Sequence, residues 1–191
     1  MINATYSDKD IVVEILTEAF DENKSFNSVI KQDHKRSIRI KKVFEYYFDI
    51  CLKYGRIFLS DDKKGCAIIM YPDARKLTFR GILMDLELLF LLGIRSVRQG
   101  FSRESKIKAI HPPGGAIYYL LFIGVYNEFQ NQGIGSKLLK EIIEDSKASA
   151  RDIYLETYLE KNLSLYKKHG FKVYNQLDFG FPIYCLKRQS A

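Results

Sequence analysis

Val125-Tyr126-Asn127-Glu128-Phe129-Gln130-Asn131-Gln132-Gly133-Ile134-Gly135-Ser136 is the stretch whose reading decides the fold. An aromatic, β-branched run, Ala116–Val125, leads into it and reads as a strand. Behind it, Gln132–Ala148 reads as an amphipathic helix with Ile134, Leu138, Leu139, Ile142 and Ile143 on one face. A strand that ends in a polar turn, with closely spaced glycines opening a helix, exposes successive backbone N–H groups. The helix N-terminus adds partial positive charge, so the turn suits a phosphate or pyrophosphate. Glycine there lets a ligand approach the backbone closely. The two glycines alone would equally suit a strand-to-helix turn with no ligand. No GxxxxGK[ST] occurs, and Leu138 stands where the dinucleotide fingerprint needs its third glycine.

Outward from this stretch, Asp152–Thr157 reads as a strand and Asn162–His169 as a short helix ended by Gly170. Phe171–Tyr174 and Phe181–Leu186 read as closing strands. In the N-terminal half, Ser7-Asp8-Lys9-Asp10 resembles a capping box, with Ile11, Val12, Ile15, Leu16, Ala19 and Phe20 on one helical face behind it. A second helix carries Ile40, Val43, Phe44, Tyr47, Phe48, Cys51 and Leu52 and stops at Gly55. Arg56–Ser60 and Cys66–Tyr71 flank a polar turn as a hairpin. Residues 77–99 read as helical with a break at Gly93, and the run Gly81–Ile94 as a buried helix. Residues 100–115, basic and then turn-rich, read as a link between two halves of one domain. The order, roughly βααββα(α) then βαβαββ, is a mixed α/β sheet, without the regular alternation of a doubly wound fold.

The 191 residues suit a single domain able to bury roughly 70% of its unfolded surface. Hydrophobic residues at 47% and charged residues at 28% exclude wholesale disorder, collagen and coiled coil. Cys51, Cys66 and Cys185 are odd in number, with no CxxC, and read as small buried hydrophobes of a reducing compartment. No secretory signal pattern opens the sequence, and the Gly81–Ile94 run is shorter than the ~18 residues of a membrane span. A cytoplasmic protein is expected. The net charge of +7 permits anionic partners without choosing among them.

Gln130-Asn131-Gln132-Gly133-Ile134-Gly135 fits the pattern Q/R-x-x-G-x-G/A, and here the sequence resembles the GNAT N-acetyltransferase superfamily. Ile123-Gly124-Val125 stands for the family's strand ending, Ser136-Lys137-Leu138-Leu139 continues the helix, and Tyr154-Leu155-Glu156-Thr157 forms the next strand. Asn162 to Phe171 looks like the family's N-x-x-x-Y-x-x-x-G-F element. The likeness covers residues 116–187 well, and the N-terminal half, about 1–110, more loosely.

The resemblance implies one GNAT-like domain over residues 1–191: a mixed central sheet flanked by helices, with two splayed parallel strands forming an acetyl-CoA cleft. It implies that the pantetheine pairs with backbone near Ile123 and Val125. The pyrophosphate would rest on Gln130, Asn131, Gln132, Gly133, Ile134, Gly135 and Ser136. Asn162 would contact the cofactor, and Tyr166 would approach its sulfur and protonate the thiolate. The acetyl group would pass directly to a primary amine, expected on a small molecule, with a peptide N-terminus or lysine as the alternative acceptor. The plainer readings are a helix N-cap for Asn162 and a packed core tyrosine for Tyr166.

The attacking ammonium must first lose a proton, and the strand Ala116–Val125 holds no acid. Glu156 is the nearest candidate base, with a water chain through Tyr118 or Tyr119 as the other route. His34 and His111 read as loop residues. His169 sits at a helix C-terminus, where a partly positive imidazole is favourable. No cluster has metal-ligand spacing, so no metal is expected. Basic residues gather at 31–42 and 95–108, as solvated faces, a funnel for an anionic cofactor or a nucleic-acid surface. The expected partners are acetyl-CoA and an amine, with no nucleic acid and no membrane, in a monomer or homodimer. A non-catalytic acyl-CoA sensor on the same fold, and a nucleic-acid-binding module, are the rival readings.

Overall fold

The computed structural model describes residues 1–74, 79–112 and 115–190. A seven-stranded sheet runs in the order β1-β2-β3-β4-β5-β7-β6. Its strands are β1 (Ile2–Asn3), β2 (Gly55–Leu59), β3 (Gly65–Met70), β4 (Ile117–Val125), β5 (Asp152–Thr157), β6 (Lys172–Asp178) and β7 (Pro182–Arg188). All neighbours are antiparallel except β4 and β5. The helices are α1 (Lys9–Ala19), α2 (Lys24–Asn27), α3 (Arg36–Tyr54), α4 (Phe79–Leu92), α5 (Ile94–Ile110), α6 (Ile134–Ala148) and α7 (Lys161–Lys168).

Each sheet face carries its own core. On one, Val12, Ile15 and Leu16 of α1 and Ile40, Phe44 and Phe48 of α3 pack over Cys66 and Ile68. On the other, Leu139 and Ile142 of α6 and Tyr166 of α7 cover Tyr118, Leu120, Ile153 and Leu155. The alternation of side chains along β4 and β5 feeds both cores. Gly124 lets α1 lie close on β4, since a Cβ there would stand 3.1 Å from both Ala19 and Leu16.

Local chemistry fixes several boundaries. The capping interaction before α1 sits at Thr5 and Asp8, three residues apart, rather than in the Ser7–Asp10 run. The Asp8 carboxylate accepts from the Thr5 amide and hydroxyl, both at 2.9 Å. α6 starts at Ile134, two residues later than periodicity suggests, because Gly133 takes the left-handed conformation (φ +85°).

The segment after β3 departs most from expectation. The basic stretch expected as a link is helical up to Ile110, and Gly93 (φ +81°) separates α4 from α5. Pro113 and Gly114, and the beginning of the 77–99 prediction at Leu77 and Thr78, lie outside the described residues. α4 is not a buried helix. Met84, Leu88 and Leu92 pack against the α1/α3 core, while Ile82, Leu83, Leu86 and Phe90 face outward, Phe90 at 86% exposure. The helix is apolar on two opposite sides, so the run's hydrophobicity did not show that only one side is covered. Among the described residues no helix is long and apolar enough to cross a membrane. Cys51, Cys66 and Cys185 are buried thiols outside any disulfide among the described residues.

Candidate active site

The sheet opens along its one parallel seam. β4 and β5 pair through Ile117–Asp152, Tyr118–Ile153 and Tyr119–Tyr154 only. Past that point β4 continues with β3 to Val125, and β5 continues with β7 to Thr157. The register of β4 against β3 shifts between Ile68 and Ile69, where Leu121 is the extra residue. A bulge of this kind bends its strand and raises the local twist. The result is a fork whose two arms carry Leu120–Val125 and Leu155–Thr157.

The loop 126–133 closes the end of the β4 arm. Gln130 folds back on it, its side-chain amide donating to Asn127 Oδ1 at 2.8 Å and to the Val125 carbonyl at 3.3 Å. That carbonyl, expected to pair with pantetheine, is thus already met from within the loop. Asn131 (φ +62°) and Gly133 (φ +85°) turn the chain into α6. Among the described residues the amides of 131–136 donate to no protein group, so a row of N–H groups stands at the helix N-terminus. Lys137 is held by Asp61 at 2.7 Å, which leaves those amides as the loop's positive field. A Cβ on Gly133 would meet nothing within 4 Å, and one on Gly135 only Val125 Cγ2 at 3.7 Å.

Tyr166 comes from the α6/α7 side. Its ring is buried and packs edge-on against Phe171 with centroids 5.6 Å apart. Its hydroxyl makes no hydrogen bond among the described residues, and burial pushes its pKa up to about 12. A phenol so placed stays protonated at neutral pH, with its proton committed to no acceptor among the described residues. Asn162 lies inside the first turn of α7, half-buried, with no side-chain hydrogen bond among the described residues. It is not the N-cap, a place that Glu160 takes.

Tyr119 and Glu156 stand on the opposite face, at the root of the fork. The Tyr119 hydroxyl donates to Glu156 Oε2 at 2.5 Å. Glu156 Oε1 and His111 Nε2 are both buried, without a hydrogen-bond partner among the described residues, and stand 3.8 Å apart. The His111 side chain is 7% exposed and that of Glu156 13%. The imidazole lies between the rings of Tyr119 and Tyr154, at 5.5 and 5.1 Å. Burial and the neighbouring carboxylate raise the pKa of Tyr119 well above a free phenol, and Tyr174 is raised for the same two reasons. His111 stands, as expected, outside the helices, in the bend just after α5, and only the tertiary fold brings it to Glu156. A local sequence signal for it is absent.

His169 caps α7, but burial together with Lys140, Lys168 and Arg188 lowers its pKa, so the expected partly positive imidazole is disfavoured. In the basic cluster at 31–42, four of the six cations are held in ion pairs with three acids. Lys31 and Arg39 pair with Asp33, Arg36 with Asp21, and Lys42 with Glu45. Arg103 of the second cluster lies against Phe179 and Phe181 and donates to Ser25 O. Among the described residues no group of His, Cys, Asp or Glu could hold a metal ion.

Residues 97–173 match the family described as the acetyltransferase (GNAT) domain. The fold is similar to a histone acetyltransferase HPA2 and related acetyltransferase from Corynebacterium glutamicum. The TM-score is 0.76 at 23% identity, over 100% of this chain and 95% of that one. It is also similar to arylalkylamine N-acetyltransferase 2 from Aedes aegypti, with a TM-score of 0.68 at 15% identity over 100% and 98% of the two chains. A probable serine/threonine-protein kinase of Dictyostelium discoideum is 23% identical over 188 residues, 87% of this chain. The chain spans 20% of that relative's length.

Proposed function

From a fold that is that of the GNAT acetyltransferases, we propose that this chain transfers the acetyl group of acetyl-CoA to a primary amine of a small molecule. The observation that carries the reading is the fork between β4 and β5 ending at a loop of unbonded amides. An extended pantetheine suits the first and a pyrophosphate the second. Acetyl-CoA brings an activated thioester. The residues supply the rest.

Glu156 takes a proton from the acceptor ammonium, and the freed amine attacks the thioester carbonyl. A C–N bond forms and the C–S bond breaks. Tyr166 gives its proton to the departing thiolate, and its phenolate recovers one from the nitrogen as the amide forms. Base and acid belong to opposite sheet faces, Glu156 bonded to Tyr119 on one and Tyr166 on the other. The acceptor belongs on the face of Tyr119, Tyr154 and Glu156, between α1, α3, α4 and the closing strands. The aromatic lining there favours a small molecule, and the arylalkylamine acetyltransferase with the same fold supports that choice. A carboxylate at the fork root favours the enzyme over a non-catalytic sensor.

The test is a thermal-shift panel of acetyl-CoA, longer acyl-CoAs, ATP, NAD and oligonucleotides, followed by release of free CoA thiol with phenethylamine, spermidine, lysine and a short peptide. A ligand at about 100 times its Kd stabilises the fold by about 2.7 kcal/mol. Stabilisation by acetyl-CoA and thiol release with an amine are expected. Stabilisation by oligonucleotide alone overturns the reading, and stabilisation by acetyl-CoA without turnover points to the sensor.

A further inference from the structure

Glu156 holds one oxygen to Tyr119, so a proton taken from an acceptor lands on the other, Oε1. Once protonated, a base must pass its proton on before the next turnover. The group facing Oε1 is His111 Nε2, which like Oε1 is buried and without a hydrogen-bond partner among the described residues. We infer that His111 is the relay that takes the proton from Glu156, so that the acceptor ammonium is deprotonated by a carboxylate–imidazole pair. The inference rests on the acetyltransferase reading and deepens it.

The separation of 3.8 Å is about 0.6–1 Å beyond a hydrogen bond, within reach of a small torsional change. A donor roughly 2.8 Å from both atoms would also fit, standing about 2 Å off the line that joins them. Either route balances. An N–H bond of the ammonium breaks and an O–H bond forms on Oε1. That bond breaks as an N–H bond forms at Nε2, and the imidazolium then sheds a proton to water. His111 is the C-cap of the 17-residue α5, which fixes where its ring meets Glu156. The other titratable groups near the pair are Tyr119, Tyr154, Tyr174, Cys185, Tyr47 and Glu104. The first three phenols and the thiol are all raised and stay neutral, and Glu104 pairs with Lys108 at 2.7 Å. Histidine is the side chain whose charge ordinarily changes between pH 5 and 8.

The test uses the whole chain, the amine that supports thiol release in the panel above, and calorimetry of acetyl-CoA on every variant. His111→Ala is expected to lower kcat about tenfold or more with acetyl-CoA affinity unchanged. Free imidazole should restore kcat at least about threefold, in proportion to its neutral form, and should do nothing for Glu156→Gln. His111→Gln keeps much of the shape but cannot carry a proton, so it should be as slow as the alanine variant. If His111→Ala fails to fold, the glutamine variant alone decides. Near-normal kcat in His111→Gln, or slow variants that imidazole cannot rescue, overturns the relay and leaves the acetyltransferase reading standing. No thiol release by the unmodified chain overturns both.

Discussion

Tyr119, the last residue of β4 to pair with β5, donates its phenolic proton to Glu156 on the diverging arm of β5. The bond ties the two strands together at the point where their backbones part. It also stabilises the charged carboxylate. Tyr119→Phe removes that donor and leaves Oε2 short of a partner, so stability is expected to fall by about 1–3 kcal/mol in denaturant unfolding. The kcat is expected to fall with acetyl-CoA affinity little changed, because the carboxylate loses the bond that orients it. A folded variant with normal kcat would detach Tyr119 from the base.

Gly135 has room for a side chain as far as the protein is concerned, its Cβ meeting only Val125. Gly135→Leu should fold normally and place its bulk over the row of free amides. Acetyl-CoA affinity should drop about tenfold or more, equivalent to at least about 1.4 kcal/mol. Calorimetry that finds unchanged affinity in a folded variant removes the pyrophosphate from this loop.

Tyr166→Phe keeps the packed ring and deletes only a hydroxyl that no protein group uses. The melting temperature should barely move. The kcat should fall by roughly tenfold or more, with little change in acetyl-CoA affinity. Turnover at the normal rate, measured where chemistry limits it, would make Tyr166 a packing residue.

Asp8 has its carboxyl held down to about 2 by the Thr5 amide, by Lys63 and by the Thr5 hydroxyl. Asp33 is lowered further, by Arg39 first and the Lys35 amide second. A depressed acid contributes stability above its unfolded pKa of about 3.9, which is lost as pH falls through the folded value. The melting temperature is therefore expected to decline from about pH 4 toward pH 2, and Asp8→Asn should flatten part of that decline. A midpoint that holds constant over this range would contradict the assignment.

Four of the six basic residues at 31–42, namely Lys31, Arg36, Arg39 and Lys42, are held in ion pairs, so this cluster offers a phosphate backbone fewer uncommitted cations than its sequence suggests. Fluorescence anisotropy with a short oligonucleotide at physiological salt should show only weak association. Submicromolar binding with a steep salt slope would revive a nucleic-acid surface.

The C-terminal half was legible because its signals are local. Period-two and period-3.6 patterns alternate across residues 116–187, and Gly133 and Gly135 mark the turn between them. Glu156 was within reach too, as the acid near the end of the strand that follows. Other features were not. The pairing of β4 with β5 stops after three residues for reasons of register and bulge, which composition does not encode. His111 meets Glu156 only through the sheet, and no spacing along the chain announces such a contact. The apolar run of α4 marked a helix correctly, but hydrophobicity does not say which of two apolar sides finds a partner.

The sheet is two half-sheets, β1–β4 and β5–β7, joined by the pairs 117–152, 118–153 and 119–154. With so short a ladder, the two halves are held together chiefly by the core under α6 and α7, which packs across both of them. That core is therefore the hinge plate of the fork, and a mutation within it, far from the cleft, can still change how wide the cleft stands.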